Sequence, residues 1–325
     1  MKKWFRSLIG VVSAASAFAL PFTAQAQAWP SQPIRIIVPF QAGDLADVIA
    51  RMVGQKVGED LGQPVIVENR PGASGLVGLQ TALQAPADGH TLVMGQMGGM
   101  AVAPNINPQP FDVRTEFKGV AGMYSNYMVL VAANDFAPRT LAEIIAYARD
   151  NPGKVTMASN GQGGFPHLAF EQIRREAGGF EYTHVPYKGS SQIPADVISG
   201  RVNLTILGYS TLMPHVEAGR MRAIAITGTE RNTLSPNLPT VSETVKGYSA
   251  LGWFGLFARS GTPADVVQKV NASVNKALAM PDIVERAKTM GLDLMAGTPA
   301  AFDQTWKNDH QKWGQLIRDL KLDKS

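Results

Sequence analysis

The sequence predicts an α/β protein in which two units of similar size are joined by two crossings of the chain. Short apolar strands alternate with amphipathic helices, this alternation occurs in two blocks, and an apolar segment stands on either side of the second block. Apolar strands separated by helices favour a mostly parallel sheet with helices on both faces.

The first block begins with a predicted strand at residues 34–40, whose only charge is Arg35. Apolar residues then recur at helical spacing from position 45 to position 53. The pattern continues with a strand at 64–67, a helix at 74–83 and a strand at 91–94.

The second block contains predicted helices at 141–149, 168–176, 193–199 and 212–218, and predicted strands at 155–158, 182–185, 204–207 and 222–227. The apolar segments 127–132 and 250–258 flank it, and we interpret them as crossing strands. Amphipathic helices follow to the C-terminus. We therefore place domain 1 at residues 27–127 together with 253–325, and domain 2 at residues 128–252.

The first 26 residues have the pattern of a secretory signal peptide. Lys2, Lys3 and Arg6 precede a small apolar stretch at 8–20, and Ala24-Gln25-Ala26 fits a cleavage site. About a dozen apolar residues are too few for the ~20 that span a bilayer, although a retained anchor is the alternative. We expect a soluble, secreted chain that starts near Gln27.

Composition and motifs argue against several classes of function. The leader accounts for +3 of the formal net charge of +4, so the rest of the chain gives no reason to expect a nucleic-acid partner. There is no Cys, and the His residues lack metal-ligand spacing. The string Gly72-Ala73-Ser74-Gly75-Leu76 lacks the last glycine of a hydrolase elbow. We predict no metal, no cofactor and no catalytic residue, with a secreted hydrolase or lyase as the alternative.

Gly-rich junctions follow three predicted strands, at residues 41–46, 70–75 and 160–166. Ligands of open parallel sheets bind at that edge, where helix starts offer backbone N–H groups. The pattern favours a site that holds an acid over one that transforms it, although each junction alone is also typical of a structural turn.

Seven strings in order carry a resemblance to a known family. They are VPFQAGDLADVIAR (38–51), VENRPGASG (67–75), DGHTL (88–92), ASNGQGGFPHLAFE (158–171), THVPYKGSS (183–191), LPTVSE (238–243) and GWFGLFARSGTP (252–263). The chain resembles the extracytoplasmic solute receptors of tripartite tricarboxylate transporters, the Bug family, from about residue 29 almost to the C-terminus.

This resemblance implies a two-lobed periplasmic-binding-protein fold, type II-like, that closes on one small molecule between its lobes. The implied solute is an organic acid, an amino acid or a related metabolite such as an amide. The implied partners are the membrane subunits of the transporter, and we expect a periplasmic monomer. A sensory subunit that presents its ligand to a membrane regulator is the alternative with the same fold.

The resemblance also implies that two loops hold the solute largely through main-chain groups. The first loop comprises Phe40, Gln41, Ala42, Gly43, Asp44 and Asp47. The second comprises Ser159, Asn160, Gly161, Gln162, Gly163, Gly164 and Phe165. Tyr187 is a candidate for the cleft wall, and a packed strand residue is the equal alternative.

This chain has Asp44 where the family usually has a second glycine. Asp44 either caps the following helix or points into the cleft, where it would favour a solute that carries an ammonium or fewer negative charges than a dicarboxylate. The loop at 94–100 follows the third predicted strand and should also face the cleft edge. Its methionines at 94, 97 and 100 predict either core packing or a partly apolar or aromatic solute. Trp253 and Phe254 either line the cleft or pack beneath the hinge.

Overall fold

The computed structural model describes residues 29–72, 75–107, 109–232 and 234–323. The predicted signal peptide, residues 1–26, lies outside these ranges, as does Gln27.

Two β-sheets organise the described chain. The six-stranded first sheet contains β1 (Ile34–Val38), β2 (Val65–Asn69), β3 (Thr91–Gln96), β4 (Phe117–Asn126), β10 (Gly252–Arg259) and β11 (Leu292–Leu294), in the spatial order β11-β4-β10-β3-β1-β2. The five-stranded second sheet contains β5 (Met128–Ala132), β6 (Thr156–Ser159), β7 (Thr183–Pro186), β8 (Leu204–Gly208) and β9 (Arg222–Ile226), in the order β7-β6-β8-β5-β9.

The helices fall into the same two groups. With the first sheet are α1 (Leu45–Leu61), α2 (Leu76–Leu83), a π-helical turn (Gly98–Val102), α3 (Ala103–Ile106), α4 (Val113–Glu116), α10 (Ala264–Leu278), α11 (Pro281–Thr289) and α12 (Pro299–Asp319). With the second sheet are α5 (Leu141–Asp150), α6 (Phe165–Glu176), α7 (Ile193–Ile198), α8 (Tyr209–Glu217) and α9 (Val241–Thr244).

The first sheet is covered on both faces, as its apolar strands predict. Successive side chains of a strand point to opposite faces. Ile36 of β1 accordingly packs in a core with α1 and α10, while Ile37 packs in another core with α2 and α12. Trp306 of α12 is fully buried in that second core, so the C-terminal helix completes the first lobe.

Both sheets are mixed. β1 pairs in parallel with β2 and β3, and β6 with β7 and β8, through helical connections. The antiparallel pairs involve β4 and β10 in the first sheet and β5 in the second. These are the strands next to the crossings, where the chain enters a sheet from the other lobe and needs no helical crossover. The predicted two-lobed α/β class is confirmed. The expectation of mostly parallel sheets is wrong, because the strands next to the crossings pair antiparallel.

The two crossings of the chain lie side by side. β4 and β5 are separated by Tyr127 alone, and the chain returns to the first sheet just before Gly252. Thr227, fully buried, links the two crossings. Its Oγ1 accepts the N–H of Met128 at 3.2 Å, and its carbonyl accepts the N–H of Ala250 at 3.3 Å. The domain boundaries at 127/128 and 252/253 stay a prediction.

We expect Gly255→Ala to destabilise the first lobe by roughly 1–3 kcal/mol, because overpacking a filled core forces its neighbours apart. A Cβ at Gly255 would overlap the Phe302 ring and lie 2.7 Å from the carbonyl oxygen of Ala121. Urea unfolding of the purified protein measures the change.

Gly297→Ala is the matched control, because a Cβ at Gly297 meets nothing within 4 Å. Equal unfolding free energies for the two variants would contradict the packing described for β10.

Candidate functional site

A cleft of about 870 Å³ opens at the carboxyl ends of β1, β2 and β3 and faces the loop after β6. Its lining residues are Pro39, Phe40, Gln41, Asp44, Pro71, Gly72, Gly75, Gln96, Gly98, Gly99, Val102, Ala103, Ile106, Asn107, Gln162, Gly163, Gly164, Phe165, Lys321, Leu322 and Asp323. Both lobes thus contribute strand-to-helix loops to one space, at the sheet edge where ligands of such folds bind.

A smaller adjoining pocket of about 320 Å³ lies towards the crossings. It shares Gln96, Gly98 and Phe165 with the larger cleft. Polar side chains on its wall come from both lobes, and they are Gln96, Asn126, Asn160, Ser190 and Thr211. Trp253 and Phe254 complete this wall, so they lie beside the crossings and also face a cavity.

The buried carboxylate of Asp47 holds the backbone of the first loop in place. Asp47 is only 3% exposed. Its Oδ2 accepts the N–H of Gly43 at 2.9 Å, and its Oδ1 accepts the amide of Asn69 at 2.9 Å. Arg51 donates to the same carboxylate. Burial raises the pKa of Asp47, but the hydrogen bonds from Arg51, Gly43 and Asn69 outweigh burial and hold it below its ordinary value. Asp47 therefore positions the loop and does not line the cleft.

Asp44 combines the two roles that the sequence left as alternatives. It is the N-cap residue of α1, and its Oδ1 accepts the N–H of Ala46 at 3.0 Å. The same side chain is exposed and lines the cleft. The start of α1 therefore presents a carboxylate to the cavity. Gly43 supplies the tight turn before it, with φ at 84°. Ala42 and Gly43 are exposed but do not line the cleft.

The second loop reaches the cleft with its later half. Gln162, Gly163, Gly164 and Phe165 line the larger cavity, and Asn160 lines the adjoining pocket. Ser159 lies beneath them and is fully buried. Its hydroxyl donates to the carbonyl of Gly161 at 2.9 Å and lies 2.7 Å from Nε2 of His184.

Two stacked histidines support this loop. The rings of His167 and His184 lie 3.9 Å apart at an interplanar angle of 11°. The N–H of Gly163 donates to Nδ1 of His167 at 3.0 Å, which requires a ring nitrogen without a proton. Burial, with a smaller contribution from His184, lowers the pKa of His167 to about 4. Burial also lowers the pKa of His184. Both rings are therefore neutral at pH 7.

Tyr187 is half-buried and lies outside both cavity linings. Its hydroxyl donates to Oδ2 of Asp196 at 2.6 Å, and its N–H donates to the carbonyl of Ser159 at 2.8 Å. Its phenol is thus held by the second lobe, while its backbone supports the start of the second loop.

Sequence reasoning missed one part of the wall, the end of the chain at Lys321, Leu322 and Asp323. It did predict that the loop after β3 faces the edge of the cleft. Gln96, Gly98 and Gly99 line the cleft, followed by α3 with Ala103 and Ile106. Met94, Met97 and Met100 are buried among core residues. Met97 also borders the smaller pocket. No local pattern in the sequence marks the end of the chain as part of a site.

The fold and the cleft define a class, that of two-lobed solute-binding proteins. A solute binding protein of the TctC type from Polaromonas superposes with a TM-score of 0.82 over 90% of this chain and 99% of its own, at 22% identity, which speaks for the fold alone. A structure from R. palustris with adipate matches at 29% identity and a TM-score of 0.73, over 89% of this chain and 97% of its own.

A further structure, MatC from Rhodopseudomonas palustris with bound malate, matches at 27% identity and a TM-score of 0.70, over 89% of this chain and 99% of its own. The two R. palustris structures thus contain adipate and malate.

The family described as the tripartite tricarboxylate transporter family receptor matches residues 49–322. BugT of Bordetella pertussis is 30% identical over 96% of this chain and 96% of its own. The UPF0065 protein in the tcbD-tcbE intergenic region of Pseudomonas sp. strain P51 is 36% identical over 91% of this chain and 88% of its own. The chain belongs to this receptor family, which confirms the resemblance seen in its sequence.

None of the described helices combines the length and the apolar character needed to cross a bilayer. Within the described ranges, no group of three His, Asp or Glu side chains is placed to hold a metal ion.

We expect the protein to lose stability as the pH falls from 7 to 5 because of His167. In the unfolded chain a histidine titrates near pH 6.5, whereas folded His167 stays neutral until about pH 4. The unfolded state therefore binds more protons in this window, which costs the folded state about 2 kcal/mol by pH 5. Urea unfolding at pH 7 and at pH 5 measures this loss.

His167→Asn is the matched variant, because the amide oxygen of Asn can accept the N–H of Gly163 and does not titrate. The loss between pH 7 and pH 5 should shrink by about 2 kcal/mol in this variant. An identical loss in both proteins would show that a neutral His167 does not support the loop.

Proposed function

We propose that this chain is a periplasmic receptor that captures a small organic acid, an amino acid or a related amide in the cleft between its lobes. It delivers this solute to the membrane subunits of a tripartite tricarboxylate transporter. Family membership supports the transport role. The adipate and malate bound to the structural neighbours support a carboxylate as the recognised group. The proposed receptor is a monomer that reaches the periplasm by its signal peptide and catalyses no reaction.

The main support for the proposal is that α6 begins at the cleft without a capping side chain. Its N-cap residue is Gly164, which provides no capping side chain, and the first turn contains no acidic residue. The first backbone N–H groups of a helix have no acceptor within that helix. In α6, the backbone N–H groups of Phe165 and His167 lack an acceptor within the helix. A helix start also favours an anion. A solute carboxylate fits there.

The start of α1 offers the opposite environment. Asp44 caps α1 and lines the cleft, and the carboxylate of Asp47 accepts a hydrogen bond from the N–H of Gly43. Some of the donors that could hold a second carboxylate are therefore already used. Two negative charges a few ångströms apart repel strongly in a partly dehydrated cleft. We therefore assign the other end of the solute as neutral or cationic, as in an amino acid or an amide.

In this proposal, some residues of the two predicted loops contact the solute and others hold the loops in position. Phe40, Gln41, Asp44, Asn160, Gln162, Gly163, Gly164 and Phe165 contact the solute, since they line the cavities. Ala42, Gly43, Asp47, Ser159, Gly161 and Tyr187 position the loops that carry those contacts. The polar groups that these two loops bring to the cavities are main-chain groups, the amides of Gln41, Asn160 and Gln162 and the carboxylate of Asp44, and this set suits binding. Closure by motion about the two crossings would enclose the solute and mark the form that the transporter recognises.

We expect thermal unfolding of residues 27–325 to shift by several degrees with one class of solute. A ligand at ~100 times its dissociation constant stabilises the folded state by about 2.7 kcal/mol. The panel is malate, adipate, citrate, aspartate, glutamate, glutamine and benzoate, added after refolding to remove any bound solute.

A shift with amino acids or amides supports the proposal. The absence of a shift with every member of the panel contradicts a receptor for small carboxylic acids. The appearance of product on long incubation would instead favour the rival enzyme.

We expect Asp44→Asn to change solute ranking without loss of the cap, since Asn caps helices as well as Asp does. Removing the charge should raise the affinity of dicarboxylates relative to amino acids by about tenfold. Isothermal titration with malate and with aspartate measures the ratio.

Asp112→Asn is the control, since Asp112 also caps a helix, α4, and lies outside the cleft lining. If the ratio is the same in both variants, Asp44 acts only as a cap.

A further inference from the structure

The smaller pocket, of about 320 Å³, brings an amide of the first lobe and a hydroxyl of the second lobe together. Met128, the first residue of β5, pairs with Gly208, the last residue of β8. This pairing sets Asn126, at the end of β4, beside the start of α8. A Cβ built on Gly208 would lie 3.7 Å from Oγ1 of Thr211 and 4.0 Å from Nδ2 of Asn126. The two polar groups therefore converge on one place in the pocket wall.

The opposite side of Asn126 lies close to the start of α6. Asn126 pairs with Gly252 of β10. A Cβ built on Gly252 would lie 3.7 Å from Cβ of Asn126 and 3.7 Å from Cε1 of Phe165, which is the first residue of α6. Phe165 lines both the larger cleft and the smaller pocket. A solute held at the start of α6 can therefore extend from the larger cleft into the smaller pocket.

The lining of the smaller pocket is polar but uncharged. Among the residues that the structure describes, no Asp, Glu, Lys, Arg or His lines it. Asp309 of α12 is outside the lining, and its Oδ2 accepts the indole N–H of Trp253, which is part of the wall, at 2.7 Å. The described lining therefore offers no cation to a carboxylate and no carboxylate to an ammonium.

The fold leaves the polar side chains of this pocket free for a solute. They are three amides and two hydroxyls, those of Gln96, Asn126, Asn160, Ser190 and Thr211. None of them is hydrogen-bonded to another described side chain or backbone group, and none is sealed away from the cavity. By contrast, the buried amide of Asn271 donates to the carbonyls of Val120 and Gly297, both at 2.9 Å. Polar groups that face a closed site usually have a partner, and here a solute can supply it.

A carboxamide is the group that suits this lining. An amide side chain donates through its nitrogen and accepts through its oxygen, and a hydroxyl also does both. A carboxamide on the solute can answer a donor and an acceptor at the same time without a charge. A carboxylate or an ammonium in the same place would lose its hydration without gaining an ion pair.

We propose that the smaller pocket is the specificity subsite of the receptor, in which Asn126 and Thr211 bind an uncharged carboxamide at the far end of the solute. This inference rests on the proposed receptor function and deepens it, because it chooses between the neutral and the cationic far ends that Asp44 allows. The solute class is an acid with its carboxylate at the start of α6 and its carboxamide against the apolar wall of Trp253 and Phe254.

The first test is isothermal titration of the wild-type protein with glutamine, glutamate and ornithine. These amino acids differ at the far end, which is a carboxamide in the first, a carboxylate in the second and an ammonium in the third. We expect glutamine to bind about tenfold more tightly than either of the others, because only its far end enters the pocket without an unpaired charge.

Gly208→Ala tests whether the solute enters this pocket. The added methyl group would lie between the hydroxyl of Thr211 and the amide of Asn126, at ordinary contact distances from both. Gly208 has φ at −56° and ψ at 143°, which alanine adopts without strain. We therefore expect the free variant to unfold at the wild-type temperature and to bind glutamine about tenfold more weakly. Gly297→Ala is the control, since it adds a methyl group in open space outside both cavities and should leave affinity unchanged.

Asn126→Asp tests the chemistry of the pocket. It replaces the amide by a carboxylate of nearly the same size, so ornithine should gain about tenfold in affinity relative to glutamine. A residue that only supported the fold would weaken all three amino acids alike. Asn237→Asp is the control, because Asn237 is exposed in the second lobe outside both cavities and the same charge change there should leave the ranking as it is.

Two kinds of outcome would overturn the inference, and they can be told apart. Suppose that the wild type binds a member of the panel used for thermal unfolding, but does not prefer glutamine to glutamate and ornithine, or that Gly208→Ala binds glutamine as the wild type does. The smaller pocket is then not the subsite, and the proposed receptor function stands. If the wild type binds no member of that panel, the proposed function fails and the inference fails with it.

Discussion

The two adjacent crossings of the chain are the constraint on which the rest of the structure depends. Only Tyr127 separates β4 of the first sheet from β5 of the second, and Thr227 hydrogen-bonds to both the outgoing and the returning segment. Short crossings hold the two sheet edges close enough for loops of both lobes to line one cleft.

The two helices that start at the cleft differ in charge because only one of them is capped by a carboxylate. Both α1 and α6 start at the cleft, but Asp44 caps α1 and no side chain caps α6. The same element, a helix start after a Gly-rich turn, is thus capped by a carboxylate in one lobe and left without a capping side chain in the other. Beneath these ends, buried polar groups fix the loops: the Asp47 carboxylate under the first and the neutral His167 under the second. In the proposed receptor, recognition depends on these buried polar groups as much as on the residues that face the solute.

Much of the fold could be predicted from the sequence, because hydrophobic periodicity reports burial and burial fixes which segments are strands and helices. The predicted helix at 141–149, for example, is found at Leu141–Asp150. Hydrophobic periodicity does not predict whether two neighbouring strands pair in parallel or antiparallel. The antiparallel neighbours of β5, which are β8 and β9, follow from where the chain crosses between lobes, and periodicity carries no information on that. β4 escaped prediction because its short apolar stretches are interrupted by Lys118 and by small residues.

By itself, the sequence determined the family, the α/β class and the two loops, because these depend on local patterns and on strings of neighbouring residues. Only the tertiary structure decided what those residues face. It turned Asp47 and Tyr187 away from the cleft into supporting contacts, and it let Asp44 both cap α1 and line the cavity. It also brought Lys321 into the lining of one cleft with residues more than 150 positions earlier in the chain. Contacts between distant segments depend on how helices and sheets pack, and no local pattern encodes that packing.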